Sequence, residues 1–188
     1  MNAKAETGAA TLSYRPNHDP LREGAELIVR LRTEAKALLN GSPQLHGLLN
    51  VLPLEQDRFE LIVLHRIATA LASAEVAQTT LVAVGQDAFA SDPSIAQAMA
   101  SDLLAVLERD PAADRAIQPL LFFKGFAAIE CHRIAHRLWR DGRRDIALYL
   151  QSKSSEVFQT DIHPAVRIVS GVFLDHATGF VAGQTAEI

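Results

Sequence analysis

Apolar residues recur with helical spacing through most of this 188-residue chain. Leu27, Leu31, Ala35 and Leu38 fall on one face of a helix, which Asn40-Gly41 is expected to terminate. Later stretches repeat this spacing, so the chain from about residue 19 to 160 predicts a domain built only of helices. The further apolar stripes are Leu64, Ile67, Ala68 and Leu71; Ile95, Met99, Leu103 and Val106; Ala127, Cys131, Ile134 and Leu138; and Ile146, Tyr149 and Leu150.

Proline, glycine and polar residues set the predicted helix boundaries. Ser91-Asp92-Pro93 offers a side-chain oxygen that can cap free amides, followed by a proline suited to the first turn. That helix is expected to end at Arg109-Asp110-Pro111, and Gly142 allows a turn. The other predicted helices are 43–49, about 55–72 after the break at Pro53, 76–84, a single long helix over 117–140, and a last one that leads to Asp161.

The period changes to six residues after Asp161. Rows of six that begin at Ile162 read IHPAVR, IVSGVF, LDHATG and FVAGQT, so an apolar residue starts each row. Such a period is typical of a left-handed parallel β-helix, in which three rows make one coil of about 18 residues. This register predicts that Phe180 lies one coil above Ile162, and residues 161–188 form one and a half coils.

The predicted fold class is therefore mainly α, with the start of a left-handed β-helix at the carboxyl end. We expect residues 1–18, which are small or polar without periodicity, to form a mobile tail. The helical domain follows over 19–160, and the β-helix begins at 161.

The composition limits the classes of binding partner and the cellular compartment that we expect. With 18 basic and 22 acidic residues the net charge is −4, which argues against nucleic acid and anionic membranes as partners. The single cysteine, Cys131, cannot form an internal disulfide and fits a reducing compartment. No apolar run reaches the roughly 20 residues that cross a bilayer. We expect a soluble cytoplasmic protein.

His176 and Asp161 are the first candidates for catalysis. A neutral imidazole can take the proton of a hydroxyl nucleophile, and a carboxylate on its other nitrogen fixes the tautomer. The two residues are 15 positions apart. In a coil of about 18 residues this places Asp161 roughly 5 Å below His176 and three positions to the side. Both residues also suit the polar corners of a β-helix, so spacing alone leaves a structural role open.

Four segments together resemble bacterial serine acetyltransferases, from about Leu21 to the end of the chain. They are Leu174-Asp175-His176-Ala177-Thr178-Gly179, Asp161-Ile162-His163-Pro164, Lys124-Gly125-Phe126 and Arg133-Ile134-Ala135-His136. The resemblance implies acetyl transfer from acetyl-CoA to L-serine in cysteine synthesis, with His176 as general base and Asp161 orienting it. It places serine-binding carboxylates at Asp110 and Asp175, although without the resemblance the preferred interpretation of Asp110 is a residue at a helix end before a proline stop.

The same resemblance implies partners. They are acetyl-CoA as co-substrate, with no tightly bound cofactor, L-cysteine as feedback inhibitor, and a homo-oligomer, either a trimer or a dimer of trimers. In the family, later coils carry most of the acetyl-CoA groove and a second histidine, and a tail binds O-acetylserine sulfhydrylase. We therefore expect residues 1–188 alone to have little or no activity and not to bind the sulfhydrylase.

Two other functions remain open at this point. A hexapeptide-repeat acyltransferase for a sugar or antibiotic hydroxyl would use the same histidine, but gives no reason for the helical domain. A non-catalytic assembly module would use the helices alone.

Metal binding is disfavoured at the one pair of histidines with chelating spacing. His132 and His136 lie four apart, as zinc ligands can, but Arg133 lies between them and no glutamate does. His163 is expected to have a structural role. The arginines of 137–144 alternate with Asp141 and so predict a solvated helix end.

Overall fold

The computed structural model describes residues 20–50, 52 and 54–188. The predicted tail over 1–18 and the break at Pro53 lie outside these residues. Eight α-helices are described, with a 3₁₀ turn at Pro43–Leu45. They are α1 (Pro20–Gly41), α2 (His46–Asn50), α3 (Phe59–Leu71), α4 (Gln78–Ser91), α5 (Ser94–Arg109), α6 (Ile117–Phe122), α7 (Lys124–Arg140) and α8 (Arg144–Phe158).

The predicted stripes form one core. Leu27, Leu31, Leu71, Met99 and Leu138 are each fully buried, because every helix turns its apolar face to the same interior. Helix α7 is central, since it contacts α3, α4, α5, α6 and α8. In the described part of the chain, no helix is both long and apolar enough to cross a membrane.

Several boundaries agree with the sequence prediction. Helix α1 ends at Gly41 and α5 at Arg109. Asp92 accepts a hydrogen bond from the amide of Ser94 at 3.1 Å, and Gly142 adopts a φ of 78° between α7 and α8. The helix predicted over 76–84 extends instead over Gln78–Ser91.

The single helix predicted over 117–140 is wrong. Phe123 has an extended backbone, with φ −92° and ψ 105°, and separates α6 from α7. The apolar pattern runs through this break, so the pattern did not reveal it. The break lets α7 begin at Lys124, beside the loop that carries Leu174.

The carboxyl end begins a parallel β-structure. Strands β1 (Thr160–Ile162) and β2 (Phe180–Ala182) pair in parallel, and a bridge joins Arg167 to Glu187. The row-heading side chains pack together as predicted, around buried Ile162, Val166 and Ala182 and against Ile129 of α7. The cluster includes Ile168, Leu174, Phe180 and Ala186.

The predicted register of 18 residues is wrong. Ile162 pairs with Ala182 and Thr160 with Phe180, so the first coil holds 20 residues. The segment 169–179 lies outside regular strand, and four of its residues have a positive φ, namely Gly171, His176, Ala177 and Gly179. These turns accommodate the two additional residues.

Candidate active site at the helix–coil junction

A cleft of about 380 Å³ lies where the end of α5, the start of α7 and the segment 173–176 meet. Asp110, Asp175 and His176 all line it, with Lys124 and Phe123 beside them. The structure therefore brings together three of the four site residues that were predicted from the sequence. The fourth, Asp161, does not line this cleft.

Asp110 follows the last residue of α5. Its Oδ1 atom accepts a hydrogen bond from the amide of Ala112 at 2.8 Å, which stabilises the turn after the helix. Next to it, Arg109 donates to the carbonyl of Gly171 at 2.9 Å and so ties this helix end to the coil. Within the described structure, Oδ2 of Asp110 accepts no hydrogen bond. One carboxylate oxygen thus serves the fold and the other remains open to a ligand.

His176 projects from a strained turn. His176 and Ala177 both adopt left-handed backbone angles, with φ of 53° and 61°, which cost about 1–3 kcal/mol each in residues other than glycine. Neighbouring contacts hold the turn, since Thr160 Oγ1 donates to the carbonyl of Ala177 at 3.3 Å and the Gly179 amide donates to that of Gln159 at 2.9 Å. The His176 side chain is 92% exposed.

Gly125 allows this turn to approach the helical domain. A Cβ atom at position 125 would lie 2.0 Å from the carbonyl oxygen of Leu174, which is a backbone atom that cannot rotate away. Any larger residue would therefore push back the segment that carries Asp175 and His176. This contact accounts for glycine in the Lys124-Gly125-Phe126 motif.

Asp161 has a different partner from the one predicted. Its Oδ1 atom accepts a hydrogen bond from Nε2 of Gln151 in α8 at 2.6 Å. In the described structure Nε2 of His176 lies 3.5 Å from Oδ2 of the adjacent Asp175. With a coil of 20 residues, His176 lies five positions before the residue that pairs with Asp161, and not three. The Asp161–His176 pair stays a prediction.

A buried ionic cluster behind the cleft was not predicted. Asp102 is fully buried on α5, where Oδ2 accepts from Nε of Arg133 at 2.6 Å and Oδ1 accepts from the amide of Val172 at 2.8 Å. Arg133 also donates to the carbonyl of Val169 at 2.9 Å. The sequence signal that could have revealed this cluster is an acidic residue, Asp102, directly before Leu103 of the apolar stripe of α5. The cluster fixes the segment that leads into the cleft.

The histidines of α7 bind backbone. Nε2 of His132 lies 3.1 Å from the carbonyl of Val166, and Nδ1 of His136 lies 2.8 Å from that of Pro164. Burial lowers the pKa of His132 to about 3, with the neighbouring His136 adding to the effect. The ring of His163 packs edge-on against Trp139. Residues 20–50, 52 and 54–188 contain no group of three His, Cys, Asp or Glu side chains placed to hold a metal ion.

A family model described as serine acetyltransferase, N-terminal, matches residues 27–131, which is more than half of the chain. The chain belongs to the serine acetyltransferase family. It is 40% identical over 158 residues to the serine acetyltransferase of Salmonella typhimurium, a match that covers 84% of this chain and 58% of the relative. The chain thus spans little more than half the length of this relative.

Solved serine acetyltransferases have the same fold. The Neisseria gonorrhoeae enzyme in complex with serine superposes with a TM-score of 0.83 and 40% identity, over 94% of this chain and 70% of that one. The Brucella abortus enzyme in complex with coenzyme A gives a TM-score of 0.83 and 43% identity, over 87% and 65%. The fold is mainly α followed by the start of a left-handed parallel β-helix, as predicted.

Proposed function

We propose that the chain forms the serine-binding half of a serine O-acetyltransferase, which transfers the acetyl group of acetyl-CoA to the hydroxyl of L-serine. The observation that carries this proposal is the cleft shared by Asp110, Asp175 and His176 in a member of this family. The complexes of two relatives, one with serine and one with coenzyme A, support the choice of substrates.

The chemistry requires a base beside the serine hydroxyl. His176 takes the hydroxyl proton on a ring nitrogen while the serine oxygen attacks the thioester carbonyl carbon. The new C–O bond forms, the C–S bond breaks, and the coenzyme A sulfur leaves with the proton that His176 returns. The exposed imidazole of His176 is open to such a substrate.

Two carboxylates suit the ammonium group of serine. Asp110 has one free oxygen, and Asp175 is adjacent to the base, so both can accept charge-assisted hydrogen bonds from a bound ammonium. Asp161 would orient His176 through the second ring nitrogen of the imidazole. Gln151 holds that carboxylate ready by one oxygen only.

The proposal extends to regulation and assembly. L-cysteine has the same ammonium and carboxylate groups as L-serine and would compete for the cleft. Val169 and Val181, which are 67% and 70% exposed on the coil, offer apolar surface for a homo-oligomer. The single buried cysteine fits a cytoplasmic enzyme.

Calorimetric titration of the 188-residue chain with L-serine tests the binding half of the proposal. We expect binding that is weakened by Asp110→Asn and by Asp175→Asn. Asp114→Asn is the matched control, because Asp114 is 78% exposed and lies outside the cleft. Equal serine affinity in all four proteins would contradict the assignment of the carboxylates.

A chimaera tests the catalytic half. Residues 1–188 replace the matching part of the Brucella abortus enzyme, and release of coenzyme A thiol is measured with and without serine. We expect His176→Ala to lower kcat by about 10²–10⁴. Serine-dependent release that persists unchanged in this variant would exclude His176 as the base.

A further inference from the structure

Lys124 connects two separate turns from its position at the start of α7. Its Nζ atom donates to Oε1 of Gln159 at 3.0 Å and also to Oγ1 of Thr178. Gln159 lies two residues before Asp161, and Thr178 lies two residues after His176. One ammonium group therefore holds the turns that carry both members of the predicted catalytic pair.

Both turns are strained, which makes an external tie necessary. Gln159 has a φ of 58°, and the other turn contains His176 and Ala177 in the same left-handed region. Residues in such conformations persist only where surrounding contacts hold them. The Gly179 amide, which donates to the Gln159 carbonyl at 2.9 Å, joins the same two turns through backbone.

From this geometry we propose that Lys124 is a positioning residue that fixes the turn presenting His176 to the substrate. The inference rests on the proposed function of the cleft, since it takes His176 as the base. A direct role of Lys124 in binding the substrate fits less well, because two of its three ammonium protons are already donated within the protein.

The amine can be removed and restored by chemistry. In Lys124→Cys, alkylation of the thiol by 2-bromoethylamine forms a C–S bond, releases bromide and rebuilds an ammonium at the same reach. The only native cysteine, Cys131, is 1% exposed and burial raises its pKa to about 12, so it stays unreacted in the folded chain. Lys153→Cys, treated identically, is the control, because Lys153 also donates a hydrogen bond, to Glu156 at 2.7 Å.

Two NMR measurements on the 188-residue chain test the positioning role of Lys124. We expect Lys124→Cys to speed hydrogen exchange of the Gly179 amide by about tenfold or more, the amount that a charge-assisted hydrogen bond can contribute. We also expect it to shift the imidazole signals of His176, which His176→Gln identifies. Alkylation should reverse both changes, and Lys153→Cys should cause neither.

Serine affinity provides a third readout, expected to fall about fivefold or more in Lys124→Cys and to recover on alkylation. If the unmodified chain binds no serine, the proposed function fails. The Gly179 exchange rate and the His176 imidazole signals still test the positioning role of Lys124 in that case. Unchanged Gly179 exchange and His176 signals would overturn the proposal, as would absent recovery in an alkylated protein that melts like the unmodified chain. If Lys124→Cys unfolds, Lys124→Met, which keeps the aliphatic stem, is measured against Lys153→Met by the same exchange criterion.

Discussion

Arg133 and Asp102 form a buried ion pair, with Nε of Arg133 donating to Oδ2 of Asp102 over 2.6 Å. Their side chains are only 8% and 0% exposed. The pair also bonds the amide of Val172 and the carbonyl of Val169, so it joins α5 and α7 to the segment that leads into the cleft. Ordering of the candidate site thus depends on charges placed well outside it.

Replacing Arg133 by methionine should destabilise the protein strongly. The substitution leaves Asp102 buried without its cation, a change that typically costs about 3–5 kcal/mol. Arg143→Met is the control, because Arg143 pairs with Asp87 at the surface and such exposed pairs contribute about 0–1 kcal/mol. Urea unfolding measures both variants. Equal midpoint shifts would show that the buried pair contributes no more than the exposed one.

Glu130 should make stability fall as pH rises. It is fully buried beside this pair, and both of its carboxylate oxygens lack hydrogen-bond partners among the described residues. Burial raises the pKa of Glu130 well above its usual 4.5, the charge of Asp102 adds to the rise, and Arg133 opposes it. The folded chain therefore keeps a proton that the unfolded chain releases above about pH 4.5.

Glu130→Gln removes this titration and provides the measurement. Urea unfolding is measured between about pH 5 and pH 8. Below the folded-state pKa of Glu130, the free energy of unfolding of the variant should increase relative to that of the unmodified protein by up to about 1.4 kcal/mol per pH unit. Glu156→Gln, at a carboxylate that is 65% exposed, should show no such gain. If the free energies of unfolding of Glu130→Gln and the unmodified protein change in parallel with pH, a raised pKa of Glu130 is contradicted.

The helical domain was predictable because its signals are local. Each stripe, such as Leu27 to Leu38, needs only one helix with one apolar face, and Gly142 permits the turn between α7 and α8 by its positive φ. The interruption at Phe123 was not predictable in this way, because the apolar pattern runs through it; it lies two residues before Gly125, which approaches the Leu174 carbonyl.

The candidate site was predictable in its members and less so in its geometry. A period of six identified residues such as Ile162 and Phe180 that pack into the coil, but the two extra residues shift the rows, so Ile162 pairs with Ala182 and not with Phe180. The coil holds 20 residues instead of 18 and contains irregular turns at Gly171 and from His176 to Gly179. The Asp161 carboxylate also accepts a hydrogen bond from Gln151, a partner that only the packing of α8 supplies, and its predicted pairing with the imidazole stays a prediction.

Cys131 should resist thiol reagents while the protein is folded. It is buried on α7, near the carbonyl of Leu150, and burial raises its pKa to about 12, so almost no reactive thiolate exists near neutral pH. We expect reaction with an aromatic disulfide reagent only as fast as the protein opens, and full reaction in urea. Immediate reaction of native protein would show that α7 is less tightly packed than described.

Gly125→Ala should damage the cleft selectively. The added Cβ would meet the Leu174 carbonyl oxygen at 2.0 Å, and because both are fixed by backbone, the turn that carries His176 has to move. Overpacking of this kind typically costs about 1–3 kcal/mol. Gly47→Ala is the matched control, since nothing lies within 4 Å of its added Cβ and alanine favours a helix by about 1 kcal/mol. We expect Gly125→Ala to lower both the urea midpoint and the serine affinity, and Gly47→Ala to lower neither. Undiminished serine affinity in Gly125→Ala would mean that the contact with Leu174 does not shape the site.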